Sequence, residues 1–230
     1  MRYIYCHPLF DERKCAHRFS YQLSQTFRAA DLILERFDYR GTGEAKGEFA
    51  DISIETLRED VEGVVSGERV CLIGVRFGAS LAFDYCSRCL VPVRNLILVE
   101  PIIDGCDYVD YLCRKQHVKD LMTNKSSFLL YDDGFKNIEG YKTSISFLEQ
   151  LKSFSLTAES EGFSVENSVS IIQISNQSKV NPRIIALAKL LEGGNRQVFV
   201  EKMKLPLFWE RIPDTDYTKL TEKIRDRCRD

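Results

Sequence analysis

A glycine-flanked turn, Gly74-Val75-Arg76-Phe77-Gly78, joins the apolar run Val70-Cys71-Leu72-Ile73 to a stretch of small residues, Ala79-Ser80-Leu81-Ala82. A buried strand running straight into a helix leaves the central side chain, Arg76, just before the helix's first free N–H groups. Those groups and the positive end of the helix dipole favour a negative ligand, and an arginine adds up to five donors and a full charge at the same place. Arg76 is therefore a candidate for holding a small anion bearing carboxylate or phosphate. A competing reading makes it structural, paired with Glu100 or Asp38. Residues at such sharp turns commonly hold strained backbone angles, at a cost of about 1–3 kcal/mol.

Other residues with reactive chemistry each have a plainer alternative. Ser80 stands four residues past Arg76, one turn into the helix, where a hydroxyl bonds the preceding turn more readily than it attacks a substrate. Cys86-x-x-Cys89 is half of a zinc site, but no second Cys/His pair stands at ligand spacing, so no metal is expected. His7, at a strand end, is the histidine with the best claim to a site; the alternative is a turn residue bonding locally. Cys6 and Cys71 fall on strands and read as small buried apolar residues. The eight cysteines occur without a signal peptide, which points to reduced thiols and a cytoplasmic protein.

The elements that would position these residues follow from hydrophobic period. Strands are expected at Tyr3–Cys6, Leu32–Phe37, Val70–Ile73 and Asn95–Val99, separated by helices at Ala16–Ala29, from an N-cap at Ser53 to about Val65, and at Phe77–Arg88. Strands alternating with amphipathic helices predict a mostly parallel sheet covered on its faces. From Asp104 to Ala158 the rhythm changes. A helix reaching about Met122 precedes two short β-like runs around the Asp132-Asp133-Gly134 turn and a helix at Ser144–Lys152. The alternation then resumes with a strand at Val169–Ile174, a helix at Pro182–Leu191 stopped by Gly193-Gly194, a strand at Gln197–Lys202 and a helix at Asp216–Arg227. The expected organisation is a core of residues 1–103 and 159–230 with an inserted cap at 104–158.

Composition narrows the function classes. The 230 residues are 44% hydrophobic and 29% charged, which excludes disorder for the bulk of the chain. Lysine and arginine number 32 against 34 acidic residues, so the net charge of −2 offers no general attraction for nucleic acid. No apolar run approaches the roughly 18 residues of a membrane span.

The turn at Arg76 resembles the nucleophile elbow of α/β-hydrolases, Gly-x-Ser-x-Gly, in which a strand meets a helix and the central residue stands exposed at the top of the sheet. Asp38-Tyr39-Arg40-Gly41-Thr42-Gly43-Glu44 is similar to the Asp-x-Arg-Gly-x-Gly-x loop after an early strand in many of these enzymes. Cys6-His7-Pro8-Leu9-Phe10 sits where they carry a His-Gly-type turn serving the oxyanion hole. Leu9 would donate there, because Pro8 has no N–H. The insertion, with Ile138-Glu139-Gly140-Tyr141 and Ser144–Leu148, resembles the cap of exosortase-associated hydrolases. The resemblance implies an α/β-hydrolase-like three-layer sandwich with a small inserted cap.

Set against that resemblance, the triad is degenerate. Arg76 stands at the nucleophile position, and a guanidinium neither attacks a carbonyl nor relays a proton at neutral pH. Ser178 stands at the acid position, with Glu100 an alternative acid. Phe208-Trp209-Glu210-Arg211, where the base is expected, contains no histidine. The reading is of a pseudoenzyme, without cofactor or metal, binding a small anionic ligand or a protein partner through Arg76, Phe77, His7, Leu9 and Glu100. The competing enzyme reading is a hydrolase of carboxylic esters or thioesters using non-standard residues. A third class is an interaction protein that uses the cap as its surface.

Overall fold

The computed structural model describes residues 1–65, 70–88, 91–123, 134–156, 163–192, 196–211 and 214–229. In chain order the elements begin β1 (Arg2–Cys6), α1 (Phe10–Cys15), α2 (His17–Arg28), β2 (Leu34–Arg36), α3 (Ile54–Val65), β3 (Val70–Val75), α4 (Phe77–Arg88) and β4 (Val93–Val99). They continue as α5 (Gly105–Thr123), β5 (Phe135–Ile138), β6 (Tyr141–Ser144), α6 (Ile145–Ser153), β7 (Val165–Ile174), α7 (Pro182–Leu191), β8 (Gln197–Met203) and α8 (Thr218–Arg229). The described residues form two compact units. One comprises residues 1–37, 61–103 and 156–230, and the other 38–60 and 104–155.

The first unit is built on a six-stranded sheet in the order β2-β1-β3-β4-β7-β8, with every neighbouring pair parallel. Every position of β3 is buried, as expected of a central parallel strand covered on both faces. One face presents Tyr3, Tyr5, Cys71, Ile73, Val75, Ile97 and Val99 to Phe19, Leu23 and Phe27 of α2 and to Leu220, Ile224 and Cys228 of α8. The spacing of Phe19, Leu23 and Phe27 by one helical turn each gives α2 its apolar stripe. On the opposite face α4 packs on β1, β3 and β4, and α7 on β7 and β8.

In the second unit, Phe49 packs on Tyr141 and Phe147, with ring centroids 4.5 and 6.5 Å apart. The glycine-rich loop turns tightly at Gly41, whose φ is +72° and where a Cβ would lie 2.6 Å from the Glu48 carbonyl oxygen. Arg40 ties the loop to α3: it donates to Asp60 and Glu59, each at 2.6 Å, and to the Thr56 carbonyl at 2.9 Å. Ser53 caps α3 as the sequence predicts, its Oγ accepting from Thr56 N at 3.1 Å while Thr56 Oγ1 accepts from Ser53 N at 2.9 Å.

The described hairpin turns at Glu139-Gly140, with Ile138 opposite Tyr141, while Asp132 and Asp133 of the expected Asp132-Asp133-Gly134 turn lie outside the described residues. Both turn residues have positive φ, +54° and +95°, the pairing that a two-residue turn needs to match strand twist. After β1 the chain turns at His7–Leu9, and the short helix α1, which the sequence did not mark, begins at Phe10. The proposed glycine stop after α7 and Cys89 also lie outside the described residues.

Candidate functional site

The turn between β3 and α4 is held by backbone contact. A Cβ on Gly74 would stand 2.3 Å from Ala79 Cα, and one on Gly78 would stand 2.2 and 2.4 Å from the Cys6 and His7 carbonyl oxygens. Neither glycine can carry a side chain without moving main chain, so the two fix how closely α4 approaches its own strand and the end of β1. Arg76 between them has φ +54°, the left-handed region that costs a non-glycine residue about 1–2 kcal/mol. Its N–H donates to the Val99 carbonyl at 2.9 Å, extending the ladder toward β4 past the end of the strand.

The Arg76 side chain turns to a partner that the sequence did not single out. Nε and Nη2 donate to Glu12 Oε1 at 3.1 and 3.0 Å, and the guanidinium lies 5.0 Å from the centroid of the Trp209 ring. Side-chain exposure is 12% for Arg76 and zero for Glu12. Glu12 sits in the six-residue helix α1, where it is buried with Phe10 and Cys15. So short a helix has no readable period, and nothing in Phe10-Asp11-Glu12-Arg13-Lys14-Cys15 marks Glu12 apart from Asp11. The two acids weighed from sequence each hold a backbone N–H. Asp38 Oδ2 accepts from Glu44 N at 3.0 Å, and Glu100 Oε1 accepts from Ile174 N at 2.6 Å.

Glu100 follows β4 with φ +48°, and its N–H continues the ladder to the Ile172 carbonyl at 2.9 Å. Burial holds its carboxyl above the usual carboxylate value, while the Arg76 charge and the Ile174 N–H pull the other way. His7 is buried, and its Nδ1–H donates to the Pro8 carbonyl at 2.6 Å. Its backbone reaches the turn, since the His7 carbonyl is one of the atoms that Gly78 accommodates. Leu9 and Phe77 are fully buried, Leu9 capping α1 in an extended conformation and Phe77 opening α4.

The hydroxyl of Ser80 donates to the Ile102 carbonyl at 2.8 Å, with the Arg76 carbonyl at 3.3 Å, so it is held inside the fold. Ser178 is exposed, and its carbonyl and that of Gln177 accept from Lys202 Nζ at 2.6 and 2.5 Å. Of the Phe208–Arg211 segment, Phe208 and Trp209 are buried and Glu210 and Arg211 are exposed. The structure therefore gathers Arg76, Glu12 and Trp209 at the turn, with the Cys6-His7 backbone behind it and Glu100 at the end of the adjacent strand.

No family model matches the chain, and neither does any curated protein. Solved structures do. Mouse alpha/beta hydrolase domain-containing protein 10 is 15% identical with a TM-score of 0.59, covering 97% of this chain and 88% of its own. An enol-lactonase from Burkholderia xenovorans LB400 is 13% identical with a TM-score of 0.57, covering 99% and 91%. An extracellular alpha/beta-hydrolase from a Paenibacillus species is 13% identical with a TM-score of 0.59 and covers all of both chains. Among the described residues no helix is long and apolar enough to cross a membrane. With its six-stranded parallel sheet, its flanking helices and these likenesses, the chain has the α/β-hydrolase fold.

Proposed function

We propose that this chain is a non-catalytic α/β-hydrolase-fold protein whose elbow is closed by an internal ion pair. The observation that carries the reading is the bonding of Arg76 to a wholly buried Glu12. An ester hydrolase needs a hydroxyl or thiol at this turn, a base within hydrogen-bond reach and a third group orienting that base. Here the turn carries a group that stays protonated, with an acceptor-only carboxylate on one side and an indole over its face. The next hydroxyl along, Ser80, already donates to a backbone carbonyl.

Glu12 also changes what the turn offers a ligand. The negative charge that Arg76 and the α4 N-terminus favour is already supplied from within the chain. A small carboxylate or phosphate has to displace Glu12 from the guanidinium, and breaking a buried ion pair in this way costs several kcal/mol. The reading is therefore of a binding protein whose recognition does not run through a free Arg76.

The test is a fluorophosphonate probe with a panel of carboxylic esters and thioesters, run on wild type, Arg76→Ser and Ser80→Ala. No labelling and no turnover above the blank are expected in any of them, because a serine at position 76 still lacks a base. Ester hydrolysis by wild type that Ser80→Ala abolishes would establish the hydrolase reading instead. Trp209, the sole tryptophan, lies against the guanidinium and reports on the ligand question directly. Its emission should not respond to phosphate, sulfate or acetate in a concentration series. A saturable response absent from Arg76→Ala would make the elbow an anion site.

A further inference from the structure

We infer that Cys71 and Cys228 are a latent disulfide pair that fixes α8 covalently to β3 when the protein meets a low-molecular-weight disulfide. Both thiols are free and both residues are wholly buried in the same apolar cluster. Sheet register brings Tyr3, Cys71 and Asn95 side by side on β1, β3 and β4, so their side chains share one face. The Asn95 amide then locates α8 above that row. Its Nδ2 donates to the Cys228 carbonyl at 3.0 Å, while its Oδ1 accepts from Asn167 Nδ2 at 2.8 Å and Ser168 Oγ at 2.9 Å. An amide held from both ends has one orientation, and it pins the last turn of α8 over β4, next to the strand that carries Cys71. Cys71 is also a neighbour that, after burial, holds the Cys228 thiol up.

The other described cysteines are placed differently. Cys6 falls on the alternate face of β1 from Tyr3 and Tyr5. Cys15 and Cys86, on α1 and α4, are not members of the apolar cluster that Cys71 and Cys228 share, and Cys106 and Cys113 belong to the second unit.

Burial pushes the Cys228 thiol well above its ordinary value, so the closed protein is unreactive and oxidation waits on opening of the last turn of α8. The Cys228 thiolate then attacks one sulfur of oxidised glutathione, forming a mixed disulfide and expelling one glutathione thiolate. The Cys71 thiolate attacks the Cys228 sulfur and expels the second. Two protein thiols are oxidised, one glutathione disulfide is reduced to two thiols, and the two protons lost by the cysteines go to the departing thiolates. The bond closes a long loop, from Cys71 to Cys228, and so restricts the unfolded chain more than the folded one. None of this involves Arg76 or Glu12, so it stands or falls apart from the reading of the elbow.

The experiment incubates the full chain with oxidised and reduced glutathione at rising ratio until the product no longer changes. Acid quenching, alkylation and unreduced digestion follow. The expected result is one cross-linked peptide joining Cys71 to Cys228, lighter by two hydrogens than its reduced halves. The melting temperature should rise and should return on adding dithiothreitol. Cys71→Ala and Cys228→Ala should each abolish the shift, whereas Cys6→Ala should keep it. The mapping is done on wild type and so does not depend on any variant folding. Glutathione adducts at Cys71 or Cys228 in place of the cross-link, pairing of either with another cysteine, or both thiols still alkylatable at the most oxidising ratio would overturn the inference.

Discussion

Removing Glu12 should destabilise the protein more than most single substitutions, and the amount follows from its surroundings. In Glu12→Leu the Arg76 guanidinium, 12% exposed in the native chain, loses its two hydrogen bonds to the Glu12 carboxylate. Stripping one partner from a buried ion pair costs about 3–5 kcal/mol. The remaining exposure and the Trp209 ring, 5.0 Å away, offset part of that, since a desolvated cation–π contact contributes up to about 2 kcal/mol. The expected loss is about 2–4 kcal/mol, which for a chain of this size lowers the melting temperature by roughly 5–15 °C. Arg76→Met, leaving a wholly buried carboxylate, should cost about 3–5 kcal/mol. The double variant should be more stable than either single one, with a coupling energy of about 2 kcal/mol or more. Urea denaturation followed by Trp209 emission, with thermal circular dichroism beside it, measures all four proteins. Single losses that simply add, or a Glu12→Leu variant within about 0.5 kcal/mol of wild type, would show that the pair contributes nothing and would remove the physical basis for a closed elbow.

Two glycines should respond to alanine in opposite directions. Gly78→Ala drives a Cβ to 2.2 Å from a carbonyl oxygen and should leave the protein unfolded or several kcal/mol less stable, whereas Gly63→Ala, on α3 with nothing within 4 Å, should gain about 0.5–1 kcal/mol; a tolerated Gly78→Ala in thermal melts would contradict the close approach. Glu100, whose carboxyl burial holds above the ordinary 4.5, keeps its proton in the folded state after the unfolded chain has lost it. Stability should therefore fall as pH rises from the ordinary value through the folded one, and Glu100→Gln should remove that fall while keeping an acceptor for Ile174. In an Arg76→Met background the window should widen upward, because the opposing charge is gone; denaturation curves across pH that run parallel for wild type and Glu100→Gln would refute the assignment.

The sheet was legible because its strands are short aliphatic runs whose burial on both faces leaves no alternation to misread, as in Val70–Val75 and Val93–Val99. The tight turn at Arg76 was legible for a related reason, since two glycines at that spacing after a strand answer to backbone contacts that admit no Cβ. Arg76's partner was not. Glu12 lies 64 residues away in sequence, on a helix too short to show a face, and only the packing of α1 brings it to the turn. The turn at Glu139-Gly140 was not singled out, because Glu-Gly is a weaker turn signal than Asp-Gly, yet it adopts the two positive φ angles that a two-residue turn requires. Trp209 was read by what its segment lacked, a histidine, and the ring it brings to Arg76 was not anticipated.

Phe10, Arg76 and Glu100 hold positive φ just beyond β1, β3 and β4, at +53°, +54° and +48°. None is a glycine, and each costs on the order of 1–3 kcal/mol. In a catalytic elbow such strain is taken as part of the mechanism that presents a nucleophile, yet here the residue presented is an arginine turned inward onto Glu12. The backbone offers another reason for the geometry to persist. Arg76 and Glu100 each donate an N–H to the neighbouring strand, at 2.9 Å, so the left-handed residues close the ladder as the chain turns away from the sheet. Gly74 and Gly78 meanwhile let α4 lie against β3 and against the end of β1 at distances no side chain permits. Both functions belong to the main chain and are indifferent to what stands at position 76. At this turn strain and glycine spacing thus follow from the main chain alone, and catalysis would need the side chains that meet there to supply a nucleophile and a base.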